Sequence, residues 1–73
     1  MEDKFKIKSY GYGELAQLYF PNISKKSASW QLTIWIKNSK NLTKNLRKLG
    51  KKPGQKILSP LQIEAIIKEF GIP

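Results

Sequence analysis

Lysine, arginine and the aromatics are the side chains through which this chain can do chemistry, because it contains no histidine and no cysteine. Without them there is no imidazole base, no thiol nucleophile and no zinc ligand set. The carboxylates are Glu2, Asp3, Glu14, Glu64 and Glu69. Glu64 and Glu69 are five apart on a helical pattern and do not share a face, so a two-carboxylate acid–base pair would have to recruit Glu14 from elsewhere. The glycines of YGYGE lack the lysine followed by Ser or Thr that a phosphate-cradling loop requires. The expectation is a protein that is not an enzyme and uses no cofactor or metal.

The cations carry more information. Fourteen Lys and Arg stand against five Asp and Glu, a net charge of +9. No acidic residue falls between Glu14 and Glu64, whereas Lys25, Lys26, Lys37, Lys40, Lys44, Arg47, Lys48, Lys51, Lys52 and Lys56 all do. Such an unpaired field repels itself in a compact state and draws polyanions. On a helix wheel Lys40, Lys44, Arg47, Lys48 and Lys51 cluster within about a third of the circumference, with Lys52 in the loop that follows. Each can neutralise a phosphate, with a strength that falls steeply with salt. A single Arg among them argues against bidentate reading of guanine, so affinity should be non-specific or shape-dependent.

A second set of candidate contacts lies in SKKSASWQLTIWIKN, where Lys25, Lys26, Ser29, Thr33 and Lys37 form a polar strip between two apolar faces. Ser and Thr can bond bases or phosphates, and lysines near a helix start mainly touch backbone. The competing readings are a solvated, lysine-rich surface and a protein-interaction module. In the latter, Tyr10, Tyr12, Tyr19, Phe20, Trp30 and Trp35 supply anchors for an acidic partner. An anionic membrane is disfavoured, since the basic helix has only three leucines and the core needs them.

Seventy-three residues make one small domain, 1–73, and a 40% hydrophobic fraction suffices for a compact helical core. Residues 4–8, KFKIK, alternate as a short strand, and YGYG breaks the pattern as a tight turn. A helix over 13–20 follows, with Glu14 near its start, then the connector FPNIS and a helix over 25–38 with Ser24 as N-cap. A third helix spans 41–49, with Leu42, Leu46 and Leu49 inward and Gly50 at its end. Ile57 and Leu58 form a second short strand, pairing with residues 4–8. SPLQ opens the last helix with Ser59 as N-cap, Pro60 in the first turn and Gln62 closing a capping box. Ile63, Ile66, Ile67 and Phe70 are its buried stripe. The fold class is therefore mainly α: about four short helices in a compact bundle, with a possible two-stranded β element. The first two helices have helix-turn-helix character, although the connector is longer than the usual turn and lacks glycine.

The longest helix poses a packing question. Ala28, Leu32, Trp35 and Ile36 make one apolar face, and Trp30 with Ile34 lies nearly opposite. The expectation is a sandwiched helix in which Trp30 and Ile34 take Leu15, Leu18 and Phe5. The alternative leaves Trp30 exposed as an anchor.

FKIKSYGYGELAQLYFP, SASWQLTIWI, NLRKLG and SPLQIEAIIKEFGIP, in that order, resemble a family of short, uncharacterised Bacteroidetes proteins, a domain of unknown function. The family pattern carries an aromatic after the Leu-Gly pair and a threonine before the proline, where Lys51 and Ser59 stand here. The resemblance implies a small helical bacterial protein and supplies no substrate or site. The N-terminus MEDKFKIKSY has no apolar stretch of signal-peptide type, and no apolar run nears the roughly 20 residues of a membrane helix, so a cytoplasmic protein is expected. Nucleic acid, DNA above all, is the favoured partner, with nothing to identify an oligomeric state.

Overall fold

A computed structural model describes residues 5–73. In chain order the elements are β1 (Tyr10–Gly11), α1 (Tyr12–Tyr19), α2 (Lys25–Asn38), α3 (Lys40–Lys48), β2 (Ile57–Leu58) and α4 (Pro60–Phe70). The two strands pair antiparallel, Tyr10 with Leu58 and Gly11 with Ile57. The fold is thus mainly helical with a two-stranded element, as the pattern implies. No helix among the described residues is long and apolar enough to cross a membrane.

Local chemistry explains the helix ends. The Ser24 hydroxyl accepts from the Ser27 N–H at the start of α2. Ser39 ends α2 and begins α3, its hydroxyl accepting from the Leu42 N–H. Beyond α3 the Gly50 N–H reaches the Arg47 carbonyl and the Lys51 N–H reaches the Leu46 carbonyl, with Gly50 at φ +87°. That is a Schellman arrangement, which requires the left-handed residue glycine supplies. At α4 the Ser59 hydroxyl accepts from the Gln62 N–H, and the Gln62 side chain accepts from the Ser59 N–H.

One core unites the elements: Leu15 and Ala16 of α1, Ala28, Leu32 and Ile36 of α2, Leu42 and Leu46 of α3, Leu58 of β2, and Ile63 and Ile66 of α4. Ile67 and Phe70 pack against it from the edge. Burial of these side chains, at roughly 1.5–3 kcal/mol each, is the main force holding so short a chain together.

Four expectations need correction. The strand expected over 4–8 does not form in residues 5–8, and Lys4 lies outside the described residues. Phe5 instead stacks on Tyr10 with ring centroids 5.2 Å apart, and the Tyr10 hydroxyl donates to the Lys6 carbonyl at 2.8 Å. The segment folds back on Tyr10, which itself takes the place in the ladder. YGYG is not a tight turn: Gly11 is extended and caps α1, its N–H reaching the Glu14 carboxylate at 3.2 Å, and α1 begins at Tyr12. Leu49, expected inward, caps α3 and is about one-third exposed.

The fourth correction concerns α2, which is not sandwiched. Trp30 is 63% exposed and Leu18, its expected cover, is also exposed. The cause is the way α1 lands on α2. A Cβ at Gly13 would lie 2.8 Å from Lys25 Cγ and 3.2 Å from Ser29 Oγ, so the glycine lets α1 close onto the Lys25–Ser29–Thr33 flank. With α1 on that flank and α3 and α4 sharing the core, no element among the described residues is left to cover Trp30. Trp35, on the expected core face, is 39% exposed and caps an aromatic cluster.

Candidate functional site

Helices α1, α2 and α3 and the loop 51–56 enclose a cleft of about 710 Å³. Its floor includes Ile36 and Leu46, and its walls carry Tyr12, Gly13, Ser29, Thr33, Thr43 and Gln55. Among the described residues five cations border it, Lys37, Arg47, Lys51, Lys52 and Lys56, and no acidic side chain does. Of the residues the sequence singles out, Ser29, Thr33, Lys37, Arg47, Lys51 and Lys52 thus come together here.

Lys26 lines a shallower pocket with Ser27, Trp30 and Gln31 that shares Ser29 and Thr33 with the cleft. Lys25 has its side-chain stem against Gly13. Lys40, Lys44 and Lys48 of α3 are exposed and outside the cleft lining. Lys56, Thr43 and Gln55 line the cleft without being candidates from the sequence, and Tyr12, a candidate only as a protein anchor, joins them. Lys56 carried a signal, as the last cation of the acid-free interval.

The neutral polar groups of the cleft are already engaged. Ser29 Oγ donates to the Lys25 carbonyl at 2.9 Å, Thr33 Oγ1 to the Ser29 carbonyl at 2.9 Å and Thr43 Oγ1 to the Ile36 carbonyl at 2.7 Å. With its proton committed, Thr33 Oγ1 is the acceptor in the 2.7 Å bond with the Tyr12 hydroxyl. Burial raises the Tyr12 pKa, so the phenol stays protonated across the neutral range. Lys51 Nζ stands 5.7 Å from the centroid of the Tyr12 ring, within reach of a cation–π contact.

A pair of amides, the buried Gln62 and the half-buried Gln55, holds the loop that brings three of these cations. Gln62 is 2% exposed. Its Nε2 donates to the Leu49 carbonyl at 3.1 Å, and its Oε1 accepts from Gln55 Nε2 at 2.8 Å as well as from the Ser59 N–H. Gln55 Nε2 also donates to the Ile57 carbonyl at 2.6 Å, and Gln55 Oε1 accepts from the Lys52 N–H at 3.1 Å. Both protons of Gln55 Nε2 are spent on this bracing. The hydrogen-bond donors left to meet a ligand in the cleft are therefore mainly ammonium and guanidinium groups, which suit an anion.

No curated protein and no solved structure matches the chain. A family model does: the domain of unknown function DUF4248 matches residues 6–73, nearly the whole chain, and the protein belongs to that family.

Proposed function

We propose that this protein binds nucleic acid through phosphate contacts in the cationic cleft, acting in a bacterial cytoplasm as a binding or regulatory accessory protein. The observation that carries the reading is the cleft itself: five cations and no acidic neighbour among the described residues, with neutral polar groups already bonded within the protein. Cations held so close repel one another and gain most from a polyanion that brings several phosphates at once. Lys40, Lys44 and Lys48 on the outward side of α3 extend the positive field beyond the cleft. The pair α1 and α2, joined by residues 20–24, has the element order of a helix-turn-helix. The proposed contacts centre on the cleft and α3 instead, because Ser29 and Thr33 are spent on backbone carbonyls and α1 lies on their flank.

The test is fluorescence anisotropy of a labelled oligonucleotide at roughly 50 and 200 mM salt, where neutralising about four or five phosphates should weaken binding on the order of a hundredfold or more. Replacing Lys37, Arg47 and Lys51 together by Gln should remove most of that salt dependence. The same change at Lys40, Lys44 and Lys48 should remove less. Absence of binding at the lower salt would sink the reading. A second reading, an interaction module for an acidic protein, is favoured by the exposure of Trp30. Under it an acidic polypeptide would bind and an oligonucleotide would not.

A further inference from the structure

Trp30 is the most exposed aromatic side chain among the described residues. It is 63% exposed on the face of α2 away from the core, while most of the other aromatics pack against the core. Its neighbours decide what it suits. The shallow pocket around it is lined by Lys26, Ser27, Ser29, Gln31 and Thr33, all polar and one of them cationic. A protein hot spot buries its tryptophan among apolar groups that exclude water, whereas the residues that line this pocket with Trp30 are polar.

Periodicity puts Trp30 in line with the cations. Lys26, Trp30, Thr33 and Lys37 stand at i, i+4, i+7 and i+11, one face of one helix. The tryptophan is bracketed by lysines over about 16 Å of helix at ~1.5 Å per residue. Lys37 belongs to the cationic cleft, and the cleft and the Trp30 pocket meet at Ser29 and Thr33. An exposed indole joined to a phosphate-binding groove is the arrangement used to stack a base while the strand's backbone runs along the charges. Inside a duplex the faces of a base are covered by its neighbours, so an indole can stack only on a base that is unpaired.

We propose, resting on the phosphate-binding reading above, that the nucleic acid is single-stranded, with an unpaired base stacked on Trp30 and the flanking phosphates held by Lys26, Lys37 and the cleft. Stacking accepts any base, and with one arginine in the cleft there is little means of reading base edges, so binding is sequence-tolerant.

The experiment titrates the protein into labelled oligothymidine of roughly twelve nucleotides, a length within the range such sites cover, and into a duplex of equal length, at low salt. The single strand should bind about tenfold or more tighter than the duplex. Trp30→Ala should weaken single-strand binding by about tenfold and leave duplex binding unchanged, and Trp30→Phe should retain most of the affinity. Circular dichroism of both variants checks that the exposed position leaves the fold intact. Equal affinity of wild type and Trp30→Ala for the single strand overturns the inference while the phosphate-binding reading stands. Binding of neither nucleic acid overturns both. Polyglutamate binding as tightly as oligothymidine, with the same loss in Trp30→Ala, overturns it in favour of an acidic protein partner.

Discussion

Helix α2 has two polar-tipped or aromatic neighbourhoods on different sides, and they are built on opposite plans. On one side Trp35 meets Phe20 at 4.7 Å, Phe70 at 5.1 Å and Tyr19 at 6.2 Å between ring centroids, and the Tyr19 hydroxyl donates to the Gly71 carbonyl at 2.6 Å. Here rings from α1, α2 and α4 and the connector tie the chain's end to its middle. On the other side lies the cleft, where the neutral groups are bonded inward and the cations face the opening. The aromatic side spends its side chains on one another; the cleft side leaves its charges unspent. Aromatic content therefore reports mostly on stability in this protein, and Trp30, which belongs to neither plan, stands out because of it.

The comparison can be broken most directly at the two tryptophans. Trp35→Ala removes three aromatic contacts and should cost about 2–3 kcal/mol, less than a fully buried Trp because its ring is partly exposed. Trp30→Ala should stay within about 0.5 kcal/mol. Thermal denaturation of both variants checks the contrast, and equal losses would mean that the Trp30 ring is packed after all.

The next effect sharpens the cleft side. Gln62→Leu keeps a side chain of similar bulk at a buried position but strips the Leu49 carbonyl, the Ser59 N–H and Gln55 of a partner. It should cost about 1–3 kcal/mol and, by freeing the loop that carries Lys51, Lys52 and Lys56, weaken anion binding without removing a charge. Unfolding in urea and oligonucleotide anisotropy read the two consequences separately. An unchanged affinity would show that the loop holds its place without the amide bridge.

How much of this was legible in the sequence varies with the kind of force involved. The bounds of α2 and the Ser59–Gln62 box of α4 could be read directly, because caps and hydrophobic spacing act locally. So could the pairing role of Ile57 and Leu58. Its partner could not, since two-residue strands leave almost no alternation to read, and Phe5 prefers the Tyr10 ring to a ladder. The exposure of Trp30 followed from where α1 lands, which depends on the space a missing Cβ leaves at Gly13, a tertiary fact with no periodic signal. The cationic interval was plain, but its gathering into a cleft depended on Gln55 and Gln62. A hint was present there: Gln62 shares a helical face with Ile66, and a polar residue on a buried stripe calls for a partner.

The smallest expected effect compares the two tyrosines that serve the two regions. Burial raises the pKa of both Tyr12 and Tyr19 above the usual value of 10.0. Each phenol is therefore protonated in the folded state at pH values where the unfolded chain has begun to lose that proton. The stabilisation is complete below about pH 10 and is lost as the pH rises from there through the raised folded values. Melting temperature should accordingly fall over that alkaline interval, and Tyr19→Phe or Tyr12→Phe should each flatten part of the fall. A melting temperature that stays level over that interval would mean that neither phenol is shielded from water in solution.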